Sequence, residues 1–403
     1  MALPTATSQA LLRAELTTAA SLFQVDTVYS ADCIEWCPFD GFQDIFICGT
    51  YQVLEPKLPE KEGDASQARG NGSDAEEDED ELSDAPKKQT QRTGRLLVFE
   101  VDGETGSARE IQRIDTPAIL DAKWSPHVDG SGRPTLVVAD AKGHLTSFTM
   151  NTDQRRLELS QSIDVDDETI LCLSLDFSHR LDPSTSPSII TSLSSGSLAH
   201  LSPSTTGEYE IVNTWRAHDF EPWCATWDNW DVHTVWSGGD DLKLKRWDVR
   251  ETSRPTVTNK RFDAGITTIT SSPFTEHLLA VGSYDENLRI FDARSPLTPL
   301  RTIALGGGLW RARFHPDPRK SNQMLIACMH DGFKVVDLDL ALVGDISSAG
   351  ATDDETGCAV ATRFDGHTSL AYGADWSRLP ADQEGSLVAT CSFYDHTMHV
   401  WRA

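Results

Sequence analysis

The sequence predicts an all-β protein, a single seven-bladed β-propeller. Three observations carry this. The chain holds eleven tryptophans, and they fall in a recurring unit in which an acidic turn residue stands six positions before an aromatic. The units repeat at about 40–50 residues, the length of a four-stranded blade. Finally, the two ends of the chain each hold part of one blade.

Composition bounds the rest. A length of 403 residues suits two or three ordinary domains or one large all-β domain. With 62 acidic and 35 basic residues the formal charge is −27. Such a surface repels phosphate backbones and anionic headgroups, so neither nucleic acid nor membrane is expected as a partner. It suits a basic protein surface or a cationic small group. The longest apolar runs fall well short of the ~18 residues that span a bilayer. The eight cysteines (33, 37, 48, 172, 224, 328, 358, 391) show no metal-ligand spacing and read as small buried hydrophobes. Neither metal nor cofactor is expected. With no secretory leader in view, a reducing cytoplasm is the expected compartment.

Residues 1–22, rich in Ala, Thr and Ser, read as a flexible tail, and residues 23–403 as the propeller. The clearest unit runs Ala217-His218, Trp223-Cys-Ala-Thr-Trp227, Val235-Trp-Ser237-Gly-Gly-Asp-Asp241 and Leu244-Lys-Arg-Trp247-Asp248. Others are Leu279-Ala-Val-Gly-Ser-Tyr-Asp285 with Phe291-Asp292, and Gly366-His367 with Leu387 to Asp395 and Trp401. These resemble the WD40 repeat. The turn positions align as Gln52, Lys142, Ser195, Asp241, Asp285, Asp331 and Asp395, giving gaps of 90, 53, 46, 44, 46 and 64 residues. Polar segments account for the two long gaps. Residues 55–94, with a polyacidic centre from Asp74 to Asp84, read as a disordered insertion within blade one. Gly344 to Gly357 form the second. The chain stops two residues after Trp401, one strand short of a full blade. Phe23-Gln-Val-Asp-Thr-Val-Tyr29 alternates suitably to supply that strand and close the ring.

Propellers of this kind carry a His–Ser/Thr–Asp–Trp hydrogen-bond chain in a blade. His218, Ser237, Asp241 and Trp247 fit it, as do His367, Asp395 and Trp401, with Cys391 at the hydroxyl position. These histidines are therefore read as scaffold rather than as parts of a hydrolytic triad.

Functional residues are expected one position upstream of each turn residue, facing the mouth of the central channel. Around the ring these are Tyr51, Ala141, Ser194, Asp240, Tyr284, His330 and Tyr394. The five larger ones form a crescent through blades four, five, six, seven and one. Entering loops add Glu221, Trp223, Trp310, Arg311, Tyr372 and Asp375. The glycines of Gly306-Gly-Gly-Leu-Trp-Arg311 permit either a close ligand approach or a tight turn between blades.

Several phrases are narrower than WD40. Gly49-Thr-Tyr-Gln52, Gly307-Gly-Leu-Trp-Arg311, Cys328-Met-His-Asp-Gly-Phe333, Tyr372-Gly-Ala-Asp-Trp376 and Cys391-Ser-Phe-Tyr-Asp-His396 resemble the diphthine methylesterase family of diphthamide biosynthesis. The resemblance implies hydrolysis of the methyl ester of methylated diphthine, the modified histidine of elongation factor 2, before an amidating enzyme acts. On that reading His330 is the expected general base. Arg311 or a tyrosine hydroxyl stabilises the oxyanion, and Asp240 completes the catalytic set. Tyr51, Tyr284, Tyr394, Trp310 and Glu221 bind the substrate and its trimethylammonium group. A nucleophilic route would use Ser283, Ser392 or Cys391. The competing class is a non-enzymatic adaptor. Trp247-Asp-Val-Arg250 and Phe291-Asp-Ala-Arg294 fit the ending found in cullin-4 ubiquitin-ligase substrate receptors. A scaffold presenting elongation factor 2 to the amidating enzyme is the third reading.

Overall fold

The computed structural model describes residues 16–54, 90–338, 358–380 and 385–403. Seven sheets, each built on four antiparallel strands, follow one another round a central axis. Blade one comprises Ser30–Trp36, Ile45–Leu54, Gln91–Val101 and Ala108–Thr116. The inner strands of blades two to seven are Ile119–Trp124, Cys172–Phe177, Cys224–Trp227, Ile266–Ser271, Leu309–Phe314 and Ala371–Trp376. In such a sheet the turn between second and third strands opens on the same face as the links between blades. Each inner strand therefore starts at this upper face and runs down the channel wall.

Adjacent sheets are glued by large apolar side chains. Trp36, Trp227, Trp236, Trp376 and Trp401 are fully buried. Trp36, Phe46 and Phe99 of blade one meet Met398 and Val400 of blade seven in one cluster. Each buried aromatic removes about 150–250 Å² from water. Alternate residues of the strands thus face neighbouring blades, and both sheet faces are covered.

Ser21–Asp26 pairs antiparallel with Thr397–Arg402, with Phe23 opposite Val400 and Val25 opposite Met398. The closing strand lies two residues earlier than expected and ends at Asp26, where the chain turns into blade one. Thr17–Thr18 adds a fifth, parallel strand beside Thr362 and Arg363 of blade six. The boundary expected after residue 22 therefore moves back. The outer edge of blade six offers unpaired backbone groups, and Thr17 satisfies it further by donating its hydroxyl to the carbonyl of Ala361. Residues 1–15 lie outside the described residues.

Of the expected insertion at 55–94, residues 55–89 also lie outside them. Residues 91–94 are strand: Leu54 faces Gln91, Val53 faces Arg92 and Gln52 faces Thr93. Gln52 thus belongs to a long hairpin stem rather than to a turn. The second expected insertion, Gly344 to Gly357, is likewise outside the described residues. Among those residues no helix is long and apolar enough to cross a membrane, and no group of three or more His, Cys, Asp or Glu is placed to hold a metal ion.

The hydrogen-bond chain of blade four is complete. Trp247 Nε1 donates to Ser237 Oγ at 2.9 Å. Ser237 lies 2.7 Å from His218 Nε2, and His218 Nδ1 lies 2.8 Å from Asp241 Oδ1. A continuous chain puts the histidine proton on Nδ1. Blade seven departs from the expected pattern. Trp401 Nε1 donates to Thr390 Oγ1 at 3.1 Å, and His367 Nε2 lies 3.0 Å from the same hydroxyl. The hydroxyl position is therefore Thr390, not Cys391. Thr390 faces His399, two residues before Trp401, as Ser237 faces Lys245, two before Trp247. The blade-seven hairpin holds one extra residue, so counting back from the tryptophan misses the hydroxyl by one, and Ser392 bridges His367 to Asp395. His218→Ala is expected to cost about 1–3 kcal/mol in a denaturant titration, because Ser237 and Asp241 lose a buried partner. Unchanged stability would remove this chain from the scaffold.

Candidate active site

All the inner strands but that of blade four carry an irregularity near their upper ends. Register slips between Ala31 and Cys33 in blade one, Leu309 and Arg311 in blade six, and Ala371 and Ala374 in blade seven. Blades two, three and five slip at the same level. A bulge leaves the extra residue outside the ladder and re-aims its side chain. Here the extra residues include Asp32, Trp310 and Tyr372. Gly373 completes the bulge of blade seven, since a Cβ there would lie 2.8 Å from the backbone nitrogen of Ile34.

The upper layer of the channel is aromatic. Trp310 is its hub, with ring centroids 4.7 Å from Tyr372, 5.8 Å from Trp223 and 6.2 Å from Tyr284. From Tyr372 the chain of rings continues to Phe393 at 4.8 Å, and from Phe393 to Tyr51 at 5.9 Å. Blades four, five, six, seven and one all contribute. Trp223 Nε1 donates to Asp240 Oδ1 at 2.8 Å, and Arg92 Nε donates to the Tyr51 hydroxyl at 2.6 Å. Gly265 leaves room for Asp240 and Tyr284, both of which a Cβ would crowd. Desolvation raises the phenols of Tyr284 and Tyr372, which therefore remain neutral. The Trp310 Nε1 donor is buried and has no partner among the described residues.

Charges lie directly beneath. Arg311 Nη2 donates to Asp121 Oδ1 at 3.2 Å and to the carbonyl of Leu120 at 3.3 Å. Burial pushes the Asp121 carboxyl up, but Arg311 and Lys123 outweigh it and hold the group at about 2. Asp32 is the opposite case. Burial raises it to about 8, with Arg311 opposing and Asp121 adding to the rise. Its Oδ1 has no hydrogen-bond partner among the described residues. Lower down, Glu35 accepts from Arg313 at 2.9 Å, and Asp121 from Lys123 at 2.8 Å.

Of the residues expected from the sequence, Tyr51, Tyr284 and Trp310 line the aromatic layer, with Asp240 at its rim and Arg311 beneath. Glu221 sits behind Asp240, whose backbone nitrogen donates to the Glu221 carbonyl at 3.0 Å. Desolvation raises the Asp240 carboxyl, and the Glu221 charge adds to this against the Trp223 hydrogen bond. His330 and Tyr394 stand apart. Both line a separate groove of about 590 Å³ between blades six and seven, with Asp331, Arg363, Asp365 and Thr368. The expected placement assumed a tight hairpin at every turn. In blade six Met329–Asp331 forms a short helical turn instead. Met329 takes the inward position, its sulfur 3.3 Å from where a Gly308 Cβ would stand, and His330 points outward. In blade seven Phe393 faces the layer, and Tyr394 is 68% exposed. Trp310, Tyr372 and Phe393 stand in the row of rings where His330 and Tyr394 were expected.

The nucleophilic candidates are engaged elsewhere. Ser283 donates to the Ala264 carbonyl at 3.1 Å, Ser392 belongs to the blade-seven network, and burial raises the Cys391 thiol well above its usual range. Gly306 and Gly307 hold φ of 70° and 75°, so this run makes a left-handed turn between blades. Arg250 and Arg294 pair with Asp248 and Asp292 at 2.6 and 2.8 Å, each closing its own local turn.

A seven-bladed WD-repeat propeller with an aromatic ring over buried charges is thus the class of protein. A chain from a crystal structure of the mitotic checkpoint complex shares the fold, with a TM-score of 0.62 at 14% identity, covering 100% of this chain and 97% of that one. No protein-family model matches the sequence. Curated relatives do. Diphthine methyltransferase of Mus musculus is 35% identical over 88% of this chain and 69% of its own length. The Homo sapiens protein of the same name is 35% identical over 89% and 75%. A Dictyostelium discoideum homologue is 32% identical over 93% and 96%. The chain belongs to the diphthine methyltransferase family.

Proposed function

We propose that this protein removes the methyl group of methylated diphthine on elongation factor 2 by hydrolysing its ester, leaving a carboxylate for amidation. The observation that carries the reading is the ring of Tyr51, Trp223, Tyr284, Trp310, Tyr372 and Phe393, flanked by the carboxylates of Asp240 and Glu221. Diphthine bears a quaternary ammonium, a cation that hydrogen bonds cannot hold. Aromatic faces hold it electrostatically, each contributing roughly 0.5–2 kcal/mol according to desolvation. With the ammonium in the ring, the ester arm reaches the layer of Arg311. A guanidinium there stabilises the oxyanion that forms when the carbonyl is attacked. The relatives' name denotes methyl chemistry on diphthine. In this reading the methyl leaves as methanol.

The acidic surface, −27 overall, favours a basic face on the protein that carries the side chain, and this association should weaken with salt. Tetramethylammonium is expected to quench the tryptophan fluorescence of the protein, since Trp223 and Trp310 line the ring, and to inhibit turnover competitively. The neutral tert-butyl analogue should do neither. Equal effects of the two would remove the cation site.

A further inference from the structure

We infer that Asp32 is the general base of the ester hydrolysis, taking the proton from the attacking water. The inference rests on the esterase reading above and goes beyond it by naming a residue for the one role that His330 does not reach.

Position argues first. Asp32 is the extra residue of a bulge in the inner strand of blade one, at the level of the bulged Trp310 and Tyr372. It is 5% exposed, and its Oδ1 has no hydrogen-bond partner among the described residues. Buried carboxylates without partners are costly, and a fold retains them where something else satisfies the group. The titratable groups that face it are Arg311 from blade six, Asp121 from blade two, Tyr51 and Cys33 from its own blade, and Tyr372 and Cys391 from blade seven. Only Arg311 among these is cationic, and it is already shared with Asp121 at 3.2 Å. The carboxyl is therefore incompletely neutralised. Its raised value of about 8 agrees with that geometry and lies near the pH at which a base is most effective.

The chemistry balances with these groups alone. The Asp32 carboxylate accepts one proton of a water while the water oxygen bonds to the ester carbonyl carbon. The carbonyl oxygen becomes an oxyanion beside Arg311. On collapse the C–OCH₃ bond breaks, and the departing methoxide takes the proton back from Asp32 and leaves as methanol. The products are a carboxylic acid, which ionises in water, and methanol.

The test is the pH profile of kcat for methanol release from elongation factor 2 carrying methylated diphthine, measured on the full-length wild type and on Asp32→Asn. Wild-type kcat is expected to rise tenfold per pH unit up to about 8 and then level. Asp32→Asn should lose about 10²–10⁴-fold of the plateau and lose the inflection, with KM within about threefold because the ring is intact. Folding has its own control. A carboxyl raised in the folded state stabilises fully below its unfolded value, near 3.8, and loses that contribution as pH rises through about 8. Asp32→Asn should therefore melt at or above wild type at roughly pH 9. Should it fail to fold, the wild-type profile decides: an inflection near 8 sustains the inference, and a flat profile from pH 6 to 9 overturns it. A folded Asp32→Asn with near-normal kcat also overturns it while leaving the esterase reading standing. A wild type that releases no methanol overturns both.

Discussion

Trp310→Ala is expected to raise KM for the methylated substrate by about 10–10²-fold, with a smaller change in kcat. Trp310 is in contact with three other rings of the layer, Trp223, Tyr284 and Tyr372. On the proposed reading its loss removes one cation–π face, and it also frees its neighbours to turn from their present orientations. The face alone is worth roughly 1–2 kcal/mol when desolvated, and loosening of the neighbours adds to it. A term present in both ground and transition states changes KM and leaves kcat. Trp310→Phe should recover most of the affinity, because it keeps an aromatic face at the bulge. Steady-state kinetics on the two variants decide the matter. An unchanged KM in a folded alanine variant would show that the ammonium binds elsewhere.

Arg311→Lys is expected to lower kcat by about 10²–10³-fold and to leave KM within about threefold. The range is that for loss of one oxyanion donor. Lysine keeps a charge beside Asp121, which Lys123 also holds at 2.8 Å, so the channel wall should survive. What it lacks is the planar fork that can hold Asp121 and still face the carbonyl. A second consequence follows from the charge array. Arg311 opposes the upward shift of Asp32, so a weaker cation should move the kcat inflection to higher pH. A folded lysine variant with wild-type kcat would dismiss Arg311 from the chemistry.

The fold was legible because its determinants are local and repeated. The tryptophan six residues after an acidic turn, and the half-blade at each end, fix seven sheets and the place where the ring closes. The scaffold role of His218 could be read from spacing alone, since blade four keeps the standard hairpin. Blade seven shows the limit: one inserted residue moved the hydroxyl from Cys391 to Thr390. The site was legible in part. Asp240, Tyr284 and Trp310 were reachable because they stand at turns or at a strand start, and Tyr51 because it aligns with them although its strand runs on to Leu54. His330 was misplaced because Met329–Asp331 coils into a helical turn, which brings Met329 inward and leaves His330 exposed. Asp32 was missed because a bulge is not visible as a pattern. The one signal was a carboxylate inside the apolar strand Ser30-Ala-Asp-Cys-Ile-Glu-Trp36, where alternation alone cannot tell a channel-facing charge from a buried pair.

The central claim is ester hydrolysis at the mouth of the channel, and product analysis tests it most directly. Purified protein would be incubated with elongation factor 2 bearing methylated diphthine, with no methyl donor added, and both products would be followed. The account predicts methanol in solution and a modified histidine lighter by one CH₂ unit, in equal amounts and with repeated turnover. A substrate that binds and keeps its mass, or one that gains a methyl group when a donor is supplied, would contradict it.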